Sequence, residues 1–498
     1  MKNSPIAVTL RAWALMILSL GAVGAWANDY PLAPNPNPVG NTISIATGDV
    51  GYHDTGTFTN FGQIEVQNGG TLRNLAEFDI IADEDSGSPG TPAIDILAGG
   101  LMETVPGTQM NFDTLSRFYV LGTVVNEGNI STGWTADTGV GSQFTNFGSY
   151  QGKRATTFRG DVDNFGFLGN TATSTQAGYL QQIATRFTNH AGATLLNHGE
   201  FVNFTQLDNS GSILNDTFLS GGVGRGIFRS GGVLNNLAGG DVSNRHRWFN
   251  PGQINNEGLF TNEADSLGLA NESTGQINNL AGGTFINRQT INNAGQITNA
   301  GSFQLAAFSS GGIAGGGSYL QTGGETIVDA ILQAASIDFE AGFLRGNGSL
   351  DGPVHIFQPA ILSPGQSAGH LDFVGNLMLD GTLEIELESS ALFDSIAVDG
   401  MLDLGSQSVL DISLLGGFVP DGAVSFDLVT ATAINGSFGT INLPTEIANQ
   451  YRLVQIPGSG GGPTILRLTA VPEPGATGLA MLFGMAGVLS FRRRREGR

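Results

Sequence analysis

Along much of this chain an apolar side chain stands at a fixed distance from a polar marker. The triplet Asn-x-Gly occurs at Asn60, Asn68, Asn126, Asn146, Asn164, Asn197, Asn209, Asn250, Asn256, Asn293 and Asn299. Four residues after these stand Ile64, Leu72, Ile130, Tyr150, Leu168, Phe201, Ile213, Ile254, Phe260, Ile297 and Phe303. Seven of the triplets are followed, six residues on, by a further asparagine: Asn74, Asn170, Asn203, Asn215, Asn256, Asn262 and Asn299. Asn and Gly tolerate the left-handed backbone of a tight corner, and the Gly-x-Φ-x step places one side chain inward on a strand of period two. The pattern predicts short β-strands joined by corners, with asparagines at equivalent corners hydrogen-bonding along the axis as a ladder. No apolar spacing of i, i+3, i+4, i+7 is sustained between residues 50 and 310, which argues against helical repeats.

A longer period overlies the short one. Asn235-Asn236-Leu237-Ala238-Gly239-Gly240 returns as Asn278-Asn279-Leu280-Ala281-Gly282-Gly283, and Gly252-Gln253-Ile254 returns as Gly295-Gln296-Ile297, both 43 residues on. An intermediate copy, Gly275-Gln276-Ile277, divides this interval into 23 and 20. Coils of that length with one short strand per side belong to a parallel β-helix, in which each coil buries its apolar face only against its neighbours. The recurring apolar position and frequent Phe weigh against a disordered Asn/Gly-rich stretch.

Around residue 320 the asparagines thin out. Strand candidates continue as Leu377-Met378-Leu379, Leu383 to Leu387, Leu410 to Leu414 and Phe426-Asp427-Leu428, with Asp-Gly turns at Asp380, Asp399 and Asp421. Tyr451 to Ile456 and Thr464 to Thr469 read as a last hairpin. The expected class is all-β: a parallel β-helix (β-solenoid) body with a β-rich C-terminal cap, plus an N-terminal signal helix and a C-terminal transmembrane helix. The expected organisation is a signal peptide over 1–27, a Pro/Asn-rich linker over 28–45, a repeat solenoid over 46–320, a β-rich region over 321–470 and a sorting segment over 471–498.

Both termini carry addresses. Lys2 and Arg11 precede the apolar run around Trp13 to Leu18, and Ala25-Trp26-Ala27 is the small-x-small pattern that signal peptidase accepts, so cleavage after Ala27 is expected. At the other end Val471-Pro472-Glu473-Pro474 precedes an uncharged run from Gly475 to Phe491 and then Arg492, Arg493, Arg494 and Arg495. Seventeen residues are at the lower limit for a bilayer-spanning helix, and the arginines hold that end on the cytoplasmic side. An ordinary single-pass anchor with a stiff Pro-Glu-Pro linker is the alternative.

The order of these three C-terminal parts resembles the PEP-CTERM sorting signal of Gram-negative bacteria that make exopolysaccharide. The resemblance covers about residues 471 to 498. It implies recognition of Pro472, Glu473 and Pro474 by a membrane-embedded exosortase, retention through Arg492 to Arg495, and transfer or release at the cell surface. Residues 345 to 445, with Leu362-Ser363-Pro364-Gly365, Phe393 to Gly400 and Gly436-Ser437-Phe438, are similar to the passenger region of autotransporter-type adhesins. That similarity implies further solenoid coils or a small β-sandwich closing the solenoid's end.

Composition fits export. There is no cysteine, so neither disulfides nor thiolate metal sites are possible. The formal net charge is −22, and taking away residues 1–27 and 475–498 removes seven of 21 basic residues and one of 43 acidic ones, which brings it to −28. Such a surface repels nucleic acid and anionic lipid.

Candidate chemistry is sparse. The six histidines (His53, His190, His198, His246, His355, His370) show no metal spacing, and no P-loop, His-Glu-x-x-His or EF-hand loop occurs, so no catalytic residue, metal or cofactor is called for. Gly365-Gln366-Ser367-Ala368-Gly369 matches a nucleophile elbow in letters, but Pro364 precedes it and the only later histidine, His370, is three residues from the serine. It reads as a glycine-rich turn. Asp79 to Asp85 reads as a charged loop rather than a calcium site. Arg245-His246-Arg247-Trp248 is the most site-like patch, with Arg245, Arg247 and Trp248 as a candidate sugar contact.

The function expected is an exported, non-enzymatic surface or matrix protein, structural or adhesive, associated with extracellular polysaccharide or biofilm. Its expected partners are the Sec machinery, signal peptidase, an exosortase-type enzyme, the inner membrane in transit and polysaccharide. A β-helix polysaccharide lyase or hydrolase is the alternative, and would be favoured if Lys153, Arg245 or Arg247 shared a cleft with carboxylates. An ice-binding solenoid is a third reading, weakened by the absence of regular Thr-x-Thr.

Overall fold

The structure, a computed structural model, describes residues 29–471 apart from 82–92, 114, 134, 171–178, 183–185, 217–225, 307–310, 423 and 460–461. Every regular element among the described residues is a β-strand. No helix there is long and apolar enough to cross a membrane. The expected signal helix of 1–27, with Ala25 and Ala27, lies outside the described residues, as do Pro472 to Pro474, the apolar run 475–491 and Arg492 to Arg495.

The chain divides into two compact units, Met1–Phe260 with Asp265–Leu267, and Thr261–Ala264 with Gly268–Arg498. Each is a parallel β-solenoid with three short strands per coil. In the first unit, face A stacks Leu101–Thr104, Thr123–Asn126, Gln143–Asn146 and Asp161–Asn164. Face B stacks Glu77–Ile80, Gln109–Phe112, Asn129–Thr132, Ser149–Gly152 and Phe167–Asn170. Face C stacks Ala93–Ile96, Arg117–Val120, Thr135–Thr138 and Ala155–Phe158. The chain visits A, B and C in turn. A coil takes 18 residues from Gln143 to its partner Asp161 and 30 from Thr71 to Leu101, so insertions are absorbed at corners without loss of register. The 20-residue coil expected from the repeat is seen directly, since Val233 pairs with Gln253 and, in the second unit, Gln276 with Gln296. The 28–45 segment is not a linker throughout: Asp29–Pro31 and Thr42–Ile45 already pair with the next strands of faces A and C.

Many of the four-residue strands read x-Φ-x-Asn with Φ and Asn pointing inward, as in Gln143–Asn146 and Val233–Asn236, and others, such as Gln63–Val66, carry a second apolar residue at the Asn position with the same alternating burial. All eleven apolar residues marked by the repeat are at most 1% exposed. Fully burying one such side chain contributes roughly 1.5–3 kcal/mol. The rings stack from coil to coil, as Phe201 on Phe228 at 4.7 Å and Phe228 on Trp248 at 3.9 Å between centroids.

The asparagines form the expected ladder, inside the solenoid. On face A, Asn126 donates to Asn146, Asn146 to Asn164, Asn164 to Asn189, Asn189 to Asn209, Asn209 to Asn236 and Asn236 to Asn256, each Nδ2 to Oδ1 at 2.7–2.8 Å. The second Nδ2 hydrogen reaches a backbone carbonyl where face B of the next coil begins, as from Asn146 to Phe167 O at 2.9 Å and Asn164 to Thr194 O at 3.1 Å. A parallel ladder runs on face B through Asn170, Asn197, Asn215 and Asn244. The second unit repeats the device between Asn279 and Asn299, Asn271 and Asn293, and Asn262 and Asn287. Buried amides are tolerated because their neighbours satisfy them.

The corner glycines act by a different cause from the one expected. Those of Asn-x-Gly do not take the left-handed conformation; a Cβ on Gly148 would fall on the carbonyl oxygen of Gly128, and one on Gly166 on that of Gly148. Glycine is required by the closeness of the stacked backbones. The left-handed conformation belongs instead to Gly239 and Gly282, in the repeated Leu-Ala-Gly-Gly corners, at φ +88° and +89°.

In the second unit solenoid coils run through residue 320 with no change of strand order: Gln296–Asn299, Ser318–Gln321 and Ser336–Phe339 stack on one face. The ladder position passes from Asn299 and Gln321 to Phe339, Ile356, Leu379 and Leu404, all buried. Apolar packing replaces amide pairing, so the asparagine signal fades while the coil persists. Near the C-terminal end two faces of this unit fuse into Ser395–Leu404, which pairs with both His370–Phe373 and Leu377–Leu379, and the predicted Asp399-Gly400 turn is a register shift inside that strand. Ser425–Gly436 stacks on it in parallel, then pairs antiparallel with Thr464–Ala470, which pairs with Tyr451–Ile456 as the predicted hairpin. This antiparallel cap ends the coils; there is no separate sandwich among the described residues.

Candidate functional site

The patch singled out from sequence does not form one surface. Trp248 is the Φ residue of Arg247–Asn250, 1% exposed, stacked on Phe228 and edge-on to Phe260 at 5.3 Å. The expectation that it stacks on a sugar is corrected: its ring has no face toward solvent. Arg245 and Arg247 are exposed, and Arg245 lies 3.6 Å from Asp216 in an ion pair. The outward aromatic of that strand is Phe249, half-buried beneath the Arg229 guanidinium at 4.6 Å.

Most of the other arginines are tied to the neighbouring coil. Arg73 holds Glu103 through two nitrogens at 2.8 and 3.0 Å, Arg117 chelates the nearly buried Asp95, and Arg229 pairs with Glu200 at 2.9 Å. In the second unit Arg288 pairs with Glu263 at 2.8 Å. Stacking places like charges one strand spacing apart, and these cross-coil pairs relieve that repulsion in a strongly acidic chain. No group of three or more metal-ligating side chains suited to an ion occurs among the described residues. Lys153 is exposed at the corner after Ser149–Gly152.

The Gly-x-Ser-x-Gly segment is a turn. Gly365 takes φ +76°, the Gly369 amide donates to Asp394 Oδ1 at 2.6 Å, and the strand His370–Phe373 follows where an elbow needs a helix. His370 turns away from Ser367, with Nδ1 2.8 Å from Ser395 Oγ and Nε2 3.1 Å from Asp372 Oδ1. This open-faced trio has no ready oxyanion donor, because the Ser395 amide is bonded to Gly369 O at 3.0 Å and the His370 amide to Asn347 Oδ1 at 3.2 Å. Beneath the turn Asp394 is fully buried, and burial, together with Glu386 and Glu384, pushes its carboxyl up to about 7 against the pull of two amide donors.

A shallow concavity lies elsewhere, on face B of the first unit. Three successive strands present outward pairs, Gln109 with Asn111, Asn129 with Ser131, and Ser149 with Gln151, in direct register. They line a shallow groove of about 330 Å³ that holds no charged residue. Glu77 and Asp79 stand one coil before it, and Phe167 and Gly169 one coil after. The repeat could have shown these residues, since they are the x positions of consecutive x-Φ-x strands. Their significance depends on which coils are neighbours, which spacing near residue 110 does not declare.

No protein-family model matches this chain, and no curated protein matches it in sequence.

Proposed function

We propose that the chain is an exported, non-enzymatic β-solenoid of the cell surface or extracellular matrix, structural or adhesive, and associated with extracellular polysaccharide. It reaches that place by Sec export, cleavage after Ala27 and exosortase processing at a PEP-CTERM tail. The observation that carries the reading is the pairing of the surface cations. Arg73, Arg117, Arg229 and Arg245 each serve a carboxylate one coil away, and the groove on face B contains neither acid nor base. A hydrolase needs two acids about a glycosidic bond, and a lyase needs a base beside charge-neutralising groups; Arg245 is instead engaged by Asp216 in an ion pair, and Lys153 stands at an exposed corner. Support for access to the tail comes from Val471, which leaves the last strand 43% exposed, with its amide bonded to Gln450 O at 2.7 Å. Protease shaving of intact producing cells, read by peptide mass spectrometry, tests the location. Peptides of the body released from whole cells or found in the medium are expected; a chain detected only after lysis overturns the reading.

A further inference from the structure

We infer that the face B groove is a binding site for a neutral glycan, one without uronate or other acidic groups. The inference rests on the surface-protein reading above and adds the ligand class and its residues.

Apart from Ile130, the lining is carboxamide and hydroxyl. Carboxamides offer both donors and acceptors, and hydroxyls do the same, so the surface matches the donor-acceptor character of sugar hydroxyls and gives an ion nothing to pair with. Toward the preceding coil the charges are unfavourable to an anion, while Lys153 stands exposed at the corner just past Gln151. Asp79 accepts from Asn111 Nδ2 at 3.0 Å, which orients that amide and places a carboxylate at one end of the groove. Glu77 stands beside it, and the whole exported chain is acidic.

Two further features point to an occupant. Ser131 Oγ, in the middle strand, is buried and has no hydrogen-bond partner. A buried hydroxyl left without a partner is unfavourable, and a group entering the groove would complete it. At the other end Phe167 is half-buried on the outer surface, and its ring lies across Gly169: a Cβ there would come within 2.7 Å of Cε1 and 2.9 Å of Cζ. A glycine inside a strand marks such a close approach. Phe147 and Phe165, at the corners leading into Ser149 and Phe167, stack on each other at 4.8 Å with 13° between planes, and Phe147 is 38% exposed. Aromatic surface at one end and amides along the floor give an apolar face for sugar C–H groups and polar partners for the hydroxyls.

The test uses the exported chain purified from producing cells, titrated with cellohexaose, maltohexaose and hexagalacturonate by calorimetry. Saturable binding of at least one neutral hexasaccharide is expected, with hexagalacturonate bound at least about tenfold more weakly. Asn129→Asp and Phe167→Ala, each with an unchanged circular dichroism spectrum, are expected to lose at least about tenfold in affinity, and Asn255→Asp on face A to lose none. Ser131→Ala supplies a readout apart from binding: it is expected to raise the unfolding temperature of the free protein while weakening the complex. Hexagalacturonate binding as well as the neutral sugars, neutral binding indifferent to the groove variants, or no binding to any probe overturns the inference. Because binding is measured on purified protein, loss of the groove leaves the surface location standing, and a failed location leaves the groove result readable.

Discussion

Asn146 donates its Nδ2 hydrogen to Oδ1 of Asn164 at 2.8 Å, and Asn164 repeats the act toward Asn189. Both side chains are fully buried. Each amide therefore joins two coils twice, through the next asparagine and through a carbonyl where the next face begins.

Removing one rung should be felt beyond its own volume. Asn164→Ala leaves the Oδ1 of Asn189 and the carbonyl of Thr194 without this donor, and strips the Asn146 amide of one acceptor. A loss of about 2–3 kcal/mol is expected, read as a lower chemical-denaturation midpoint. Hydrogen exchange should accelerate most in the coils holding Asn146, Asn164 and Asn189. A change confined to a few tenths of a kcal/mol would mean that the ladder is incidental to stability.

The corner glycine makes a sharper case. Gly166→Ala places a methyl group on the carbonyl oxygen of Gly148, so neighbouring coils must separate. The variant should be poorly produced or unfold at a markedly lower temperature. Alanine at Gly239, whose surroundings are open and whose φ is +88°, should suffer only the milder backbone strain. Equal effects at the two sites would refute the close-approach account.

Asp394 gives the second unit a pH dependence of unusual sign. Its carboxyl titrates near 3.8 when solvated and is pushed up to about 7 in the folded chain. The folded state thus keeps a proton that the unfolded chain releases. This contribution is complete below about pH 4 and is lost as pH rises toward 7. The other carboxylates add their own slopes, so the relevant quantity is the difference between the parent and Asp394→Asn. The unfolding temperature of the parent should fall relative to the variant between pH 4 and 7, and a flat difference would contradict the assignment.

Trp248 belongs to the core, so Trp248→Ala should cost about 3–5 kcal/mol. Arg247→Ala, at the exposed start of the same strand, should stay within about 0.5 kcal/mol. Denaturation midpoints of the two variants check the contrast. Fluorophosphonate probes should leave Ser367 and Ser395 unlabelled, since a strand follows the Ser367 turn where an elbow needs a helix and the amides of His370 and Ser395 are already bonded.

The inward register was legible from residues. Asn60 with Ile64, or Asn299 with Phe303, shows a marker and its buried partner four apart, and the structure keeps that relation at every copy. The same spacing places Trp248 inside, four residues after Asn244, although the arginines around it give the segment the composition of a surface site. Asn68 matches the triplet yet is exposed in a turn, because the triplet alone does not distinguish a strand end from a longer corner. The coils after Gln321 were harder to read, as Phe339, Ile356 and Leu379 fill the ladder position without a marker. The groove was hidden for another reason: Gln109, Asn129 and Ser149 become neighbours only once 20-residue coils are stacked, and no motif within one coil announces them.

Intact-mass analysis of the chain recovered from the cell surface or medium tests the central claim of export and processing most directly. A product beginning at Asn28 and ending close to Pro472–Pro474 is expected. A surface or secreted product that still carries Arg492 to Arg498 would contradict it.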